Sequence, residues 1–428
     1  MAAPIGTHLL PLTASFADET GRLLIGGLDV CDLAEEHGTP TFLYDEYHLR
    51  KRCQEAVSTF GTGVAYASKA FLCASMAKLV NEEGMHIDVA SSGEAYVALR
   101  AGVPAERLVF HGNNKSTAEL TYALEHKFGR IVLDSFDELE RLRRLSNFGH
   151  ERPKVLLRLT PGVEAHSHEF ISTGHEDVKF GFSIKSGAAM EAVLRCRAVD
   201  SGVDLVGLHA HVGSQVFSTD SYEKIVAVLA AFFNPLGLPE LVIGGGLGVA
   251  YLNDETAPTI AEWGMYVKAA ASQHGVSTAV RLSAEPGRAI AATAGLTLYR
   301  VGTIKDLPDI RTYVSVDGGM SDNPRPALYG AGYEAFLPRC ATAERPRLVR
   351  VVGKHCETGD ILVREAWVPD DIRVGDVLCT PVTGAYGYAM ASNYNKLPRP
   401  AVVFASDGRS RAVVRRESFE DLLRNDIF

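Results

Sequence analysis

Short runs of aliphatic and β-branched residues alternate with amphipathic stretches from about residue 60 to residue 290. The runs span 64–67, 86–90, 108–111, 131–134, 155–159, 205–211, 241–244 and 280–285. Between them, apolar positions recur at the three- and four-residue spacing of one helix face, over 74–83, 94–101, 117–126, 136–145, 187–199, 221–233 and 260–274. A further helix is expected over 46–60, ahead of the first run. Eight strands with helices between them predict an α/β fold, a (β/α)8 barrel of TIM type, with an open doubly wound sheet as the alternative. The residues closing the runs favour the barrel: Lys69, Asp88, His111, Asp134, Arg158, His211, Gly244 and Glu285. Polar and reactive groups gathered at strand C-termini are the active face of such a barrel.

The texture changes after Glu285. Stretches 294–305, 311–316, 348–352, 376–382 and 401–405 read as strands joined by turns, and helical periodicity returns only at 417–424. This predicts an all-β second domain. The N-terminal stretch, where 21–27 reads as a hairpin, is assigned to it. The expected division is therefore a barrel over 37–289 and a β domain built from 1–36 and 290–428.

A chain of 428 residues exceeds one ordinary core, which agrees with two domains. The net charge is −9 and no Lys/Arg run forms a nucleic-acid footprint, so a small-molecule substrate is expected. The N-terminus lacks the basic and apolar regions of a signal peptide, and the longest apolar stretch, 226–233, is far short of a membrane span. Seven scattered cysteines without a CxxC pair fit reduced thiols in a cytoplasm.

Several segments carry candidate chemistry. Lys69, in Tyr66–Ala70, follows a buried run at the active face, a setting suited to imine formation by an amine. Gly244, Gly245 and Gly246 let backbone N–H groups close on an oxyanion, although Val249 breaks the dinucleotide fingerprint. His209 and His211 allow two accounts: half of a metal site, or an imidazole stacked on a planar cofactor whose phosphate Ser214 binds. Glu285, followed by Pro286, Gly287 and Arg288, could keep a pyridine nitrogen protonated and make the ring an electron sink. In the β region, the loops 317–329, 353–360 and 384–388 are rich in turn formers and carry Arg325, Tyr329, Cys356, Glu357 and Tyr386.

Together these segments resemble the diaminopimelate decarboxylase family, fold-type III pyridoxal 5'-phosphate (PLP) enzymes sharing the alanine-racemase barrel. The matching stretches are YASKA (66–70), DVASSGE (88–94), HGNNKS (111–116), GHEDVKFGF (174–182), HAHVGSQ (209–215), GGGLG (244–248), EPGR (285–288), RPALYGA (325–331), CETGD (356–360) and GAYGYAMASNYN (384–395). They run in family order over nearly the whole chain. The resemblance implies decarboxylation of meso-2,6-diaminopimelate to L-lysine and carbon dioxide, the last step of lysine biosynthesis. It implies Lys69 as the Schiff-base lysine, His211 against the ring face and Glu285 at the pyridinium nitrogen. Gly244 to Gly246 with Ser214 would hold the phosphate, and Asp88, Gly287, Arg288 and Tyr386 would line the cofactor site. Arg288, Arg325, Tyr329, Glu357 and Tyr386 would bind substrate, and a pair of arginines suits a second carboxylate. Cys356 would reprotonate the α-carbon. The loop carrying Cys356 would enter the partner's barrel, which implies a homodimer with shared active sites. No metal is expected.

Two stretches depart from the family pattern. Lys354 and His355 follow Gly353 where the family often has a proline, placing a cation and an imidazole beside Cys356. Residues 321–324 are polar where the approach to Arg325 is usually apolar. They leave open a sibling decarboxylase of ornithine, lysine or a carrier-bound glutamyl group. A metal-dependent barrel hydrolase built on His209 and His211 is the reading from another class.

Overall fold

The computed structural model describes residues 3–17, 21–147, 151–162, 177–211, 213–217 and 219–427. Residues 174–176 of the GHEDVKFGF stretch and Val212 of HAHVGSQ lie outside the described residues. The chain forms two compact units, one of Arg52–Gly248 and Ala257–Ala289, the other of Met1–Lys51, Val249–Thr256 and Ile290–Phe428.

Eight parallel strands form the main path of the first unit's sheet, β1 (Ala65–Ala67), β2 (His86–Val89), β3 (Leu108–Phe110), β4 (Arg130–Leu133), β5 (Lys154–Thr160), β6 (Asp204–Ala210), β7 (Glu240–Val242) and β8 (Arg281–Ser283), with the two-residue strand Phe182–Ser183 also paired to β5. Each pairs with its neighbours in chain order. The Ala65 N–H donates to the Ala284 carbonyl at 3.0 Å and the Ala67 N–H to that of Pro286 at 3.3 Å, joining the last segment to the first. The sheet therefore closes, which decides for the barrel over the open sheet. The helices between strands match the periodicity, and the turn chemistry explains where they begin. Ser116 with Glu119, and Thr259 with Glu262, form reciprocal capping boxes at the starts of Thr117–Glu125 and Ile260–Gln273.

Ala65, Val109, Val132, Leu156 and Val242, from five strands, pack into one buried cluster, with Val206 against it. This plug fills the barrel, so ligand chemistry is left to its rims. At the strand N-termini, the buried Glu240 carboxylate pairs with the half-buried Arg130 and Arg281, an ion triad that ties three strand starts together. The open chemistry lies at the other rim.

The second unit is built on strands in the order Ile361–Val368, Arg347–Val352, Arg311–Val316, Gly295–Leu307, Thr41–Asp45, Ala401–Ser406 and Arg409–Val414, with Val377–Thr380 also on Gly295–Leu307. A three-stranded sheet, Ser15–Ala17, Arg22–Ile25 and Leu28–Asp29, contains the expected hairpin. The domain boundary differs from the sequence expectation. Thr41–Asp45 pairs antiparallel with Gly295–Leu307 and parallel with Ala401–Ser406, so this unit extends to Lys51 and not to residue 36, and it includes Val249–Thr256. All five residues of that strand are buried, so no polar alternation marked it as a strand. Ile361–Val368 and Arg409–Val414 were also missed. The first is interrupted by exposed Arg364 and Glu365, and the second is an exposed edge carrying arginines, so neither presents a continuous apolar run. Among the described residues, no helix is long and apolar enough to cross a membrane.

Candidate active site

Lys69 sits on a single 3-10 turn, Ser68–Ala70, directly after β1. Its neighbours Ser68 and Ala70 are buried while Lys69 itself is exposed. The tight turn carries the lysine out of the wall into the mouth, where its charge is felt by Asp88 and His211. Gly287 presses on the same turn: a Cβ there would lie 2.9 Å from Ala67 Cβ and from its carbonyl oxygen. A glycine is needed for the EPGR segment to approach the lysine segment this closely.

The ends of β2, β3, β6 and β8 bring Asp88, His111, His209 and Glu285 into one buried cluster. His209 Nε2 lies 2.9 Å from Glu285 Oε2, and His111 Nε2 lies 3.4 Å from both Glu285 Oε1 and Asp88 Oδ1. Burial opposes ionisation of Glu285, yet His209 and His111 hold its carboxyl well below the usual range. Burial likewise opposes a charge on His111, but the Glu285 and Asp88 carboxylates outweigh it and raise the imidazole to about 9. Burial and the Glu285 charge push Asp88 up to about 7, against the pull of His111 and Lys69. Burial lowers His209, so its bond to Glu285 is that of a neutral ring N–H to a carboxylate. The net result is a protected carboxylate with one charged and one neutral imidazole on it.

The two histidines of HAHVGSQ part company. His209 turns to Glu285, whereas His211 Nδ1 accepts the Gly245 N–H at 3.2 Å, and burial with the Lys69 charge lowers this imidazole well below its usual range. The two rings therefore serve different groups. His111, His209 and Glu285 do place ligand atoms within 4.8 Å of one another, but Glu285 already meets an imidazole at each oxygen.

The glycine run lies between these segments. A Cβ would fall 2.5 Å from the Ala210 carbonyl oxygen on Gly244, 2.3 Å from that of Glu285 on Gly245 and 2.3 Å from that of Gly213 on Gly246. Gly244 and Gly246 have φ of +68° and +101°. Only glycine allows this turn to pack backbone against backbone on both sides. Beside it, the Arg288 guanidinium donates to Ser214 Oγ at 2.9 Å. A glycine turn, a hydroxyl and a guanidinium form a donor set for a phosphate. With an amine, a carboxylate for a ring nitrogen and an imidazole at the same mouth, the residues fit PLP.

Behind the mouth, Lys115 donates to the Gly112 and Val132 carbonyls and to Glu138 Oε1, at 2.8, 2.7 and 2.7 Å. Its three protons are all used, so the HGNNKS segment is a buried brace.

In the β unit, Arg325 is buried with its guanidinium over the rings of Tyr251 and Tyr333, 4.5 and 5.5 Å from their centroids, and it bonds the Tyr333 hydroxyl. Tyr386 lies close enough to interact with it electrostatically. Tyr386 holds φ of +61°, a conformation uncommon outside glycine, on a loop tied by the Tyr44 hydroxyl to the Gly384 carbonyl at 2.8 Å. Tyr329, half-buried, ends the short helix Arg325–Tyr329. Cys356 and Glu357 are both exposed, and Glu357 Oε1 accepts the Gly359 N–H at 3.3 Å. Sequence reasoning missed Tyr251 and Tyr333, since neither falls in a matched motif. It noted His111 as a strand end without giving it a task.

The pyridoxal-binding domain of the pyridoxal-dependent decarboxylases matches residues 46–292. Diaminopimelate decarboxylase of Mycobacterium tuberculosis is 48% identical over 96% of both chains, and that of Bacillus subtilis 44% identical over 96% of both. Among solved structures, diaminopimelate decarboxylase from M. jannaschii superposes with a TM-score of 0.89 at 31% identity, covering 97% of this chain and 98% of its own. The Helicobacter pylori enzyme complexed with L-lysine gives 0.83 at 29%, covering 92% and 98%. Lysine/ornithine decarboxylase of Vibrio vulnificus, at 22% identity and 0.75, shares the fold. With the pyridoxal-binding domain matched over 46–292 and relatives at 44–48% identity over most of both chains, this chain belongs to the PLP-dependent decarboxylases, in the diaminopimelate decarboxylase family.

Proposed function

We propose that this protein decarboxylates meso-2,6-diaminopimelate to L-lysine and carbon dioxide, as the last step of lysine biosynthesis. The observation that carries the reading is 48% identity to a diaminopimelate decarboxylase over 96% of both chains. Bound PLP supplies a carbonyl for the substrate amine and a ring that takes up the electron pair left when the carboxylate departs. Lys69 is the amine that holds the cofactor. Gly244, Gly245, Gly246, Ser214 and Arg288 hold its phosphate, and Glu285 keeps the ring nitrogen protonated. His211, Asp88 and Gly287 would line the cofactor's site.

Arg325 of the β unit offers a fixed, always charged fork to the distal carboxylate, and Arg288, Tyr329 and Tyr386 are further substrate contacts. Glu357 meets the distal ammonium. Cys356 delivers a proton to the α-carbon after carbon dioxide leaves. The protein works as a homodimer in the cytoplasm, with the loop of Cys356 serving the partner's site.

The test is carbon dioxide release from meso-diaminopimelate by the PLP-loaded protein, with L-lysine quantified beside it and ornithine and lysine as alternative substrates. Lysine formed in equal amount to carbon dioxide supports the reading. Faster release from ornithine or lysine would overturn it.

A further inference from the structure

The Gly353–His355 stretch and the polar 321–324 stretch meet in the β unit. His355 is buried, and its Nε2 lies 2.8 Å from Ser321 Oγ, in the 321–324 stretch. Its Nδ1 lies 3.2 Å from Asn395 Oδ1, and its ring stacks on Tyr394 at 5.2 Å with 29° between the planes. The same Asn395 Oδ1 accepts the backbone N–H of Cys356 at 3.2 Å. Asn395 sits at φ of +52°, in the left-handed region.

A second group locks the loop from below. Asp360 accepts the backbone N–H groups of Met320 at 2.6 Å and His355 at 2.9 Å. The Gly353 N–H donates to the Asp360 carbonyl at 3.1 Å, and the Lys354 N–H to that of Gly318 at 2.9 Å. A Cβ on Gly319 would lie 2.7 Å from His355 Cδ2, so the 317–323 loop and the histidine are in contact. Burying an imidazole at a loop base is costly unless both ring nitrogens are satisfied. Ser321 and Asn395 satisfy both. A serine hydroxyl can donate or accept, so the contact survives either ring state.

We propose that His355 is a positioning residue for Cys356 and Glu357: through Ser321 and Asn395 it fixes the orientation in which this loop presents the thiol. The imidazole acts through Asn395, which holds the Cys356 peptide, and does not itself touch the thiol or the substrate. The polar 321–324 stretch is the other half of the same device. This deepens the reading of Cys356 as proton donor and rests on it.

The test uses the full-length PLP-loaded enzyme and four variants: His355→Ala, His355→Asn, Ser321→Ala and the double variant His355→Ala with Ser321→Ala. Turnover is measured beside the rate at which iodoacetamide alkylates Cys356, located by peptide mass spectrometry. His355→Ala is expected to lower kcat about tenfold with KM within about twofold, and to change the alkylation rate by about threefold or more, the scale of one buried hydrogen bond. His355→Asn, which can still donate to Asn395, restores most of both. Ser321→Ala has a smaller effect in the same direction, and the double variant with His355→Ala is no worse than His355→Ala alone, as expected of one network. A changed alkylation rate with unchanged kcat would support the positioning and remove Cys356 as the proton donor. Alkylation rates unchanged in both His355→Ala and Ser321→Ala overturn the proposal. So does a loss in which KM and the visible absorption of bound cofactor change together with kcat.

Discussion

His209 Nε2 stands 2.9 Å from Glu285 Oε2, and both side chains are almost wholly buried. Burial keeps the imidazole neutral, so it donates a hydrogen bond without contributing a charge. That bond orients the carboxylate proposed to hold the pyridine nitrogen. His209→Ala should therefore lower kcat by about tenfold or more, the cost of one hydrogen bond to a charged group. His209→Gln, which keeps a donor, should recover part of it. The absorption spectrum of bound cofactor should shift in the alanine variant, and an unchanged spectrum and rate would remove His209 from this role.

His111 makes stability pH-dependent in a definite direction. Its folded-state value, about 9, lies above the unfolded value of 6.5, so its contribution is complete below 6.5 and is lost as pH rises through about 9. Asp88, raised to about 7, acts in the same direction at lower pH. The cofactor-free chain should melt at least ~2 °C lower at pH 9 than at pH 6.5. His111→Asn should flatten that slope, and thermal scans across the range check it.

Lys69 is proposed as the only covalent link to the cofactor. Lys69→Ala should leave a protein that binds PLP reversibly, because the phosphate cradle around Ser214 and Arg288 is intact. Turnover should be nearly abolished, and dialysis should strip the cofactor. Retention of the visible band after dialysis would show that another amine holds it.

Gly246→Ala tests the cradle itself. The added Cβ would lie 2.3 Å from the Gly213 carbonyl oxygen, at a φ of +101° that alanine resists. PLP affinity should fall about tenfold or more, since a misplaced turn loses phosphate hydrogen bonds. Equilibrium titration of the cofactor-free protein reads this directly.

Arg325 should be irreplaceable by lysine. Its planar group lies over the rings of Tyr251 and Tyr333 and donates to the Tyr333 hydroxyl, which an ammonium cannot reproduce. Arg325→Lys and Arg325→Ala should both raise KM for diaminopimelate by about thirtyfold or more, with PLP binding intact. A near-normal KM in the lysine variant would place the distal carboxylate elsewhere.

The barrel was legible because strand and helix periods differ and eight alternations leave few topologies. The residues closing each run also marked the active rim, since strand C-termini converge there whatever the side chains are. The motif matches then supplied the cofactor and the reaction. Thr41–Asp45 was illegible for the opposite reason: a short strand buried on both faces carries no polar alternation, and only its pairing with Gly295–Leu307 and Ala401–Ser406 reveals it.

Residue types at strand ends are a property of the sequence, but their partners are a property of three-dimensional approach. HAHVGSQ cannot say which histidine serves which group, because both stand at one strand end. The structure separates them, giving His209 to Glu285 and His211 to Gly245. Likewise Gly353, Lys354 and His355 suggested an electropositive setting for Cys356, whereas the fold turns the His355 ring to Ser321 and Asn395. Local chemistry and periodicity are written along the chain. Protonation states and hydrogen-bond partners depend on distances between segments far apart in sequence, and only the tertiary structure decides those.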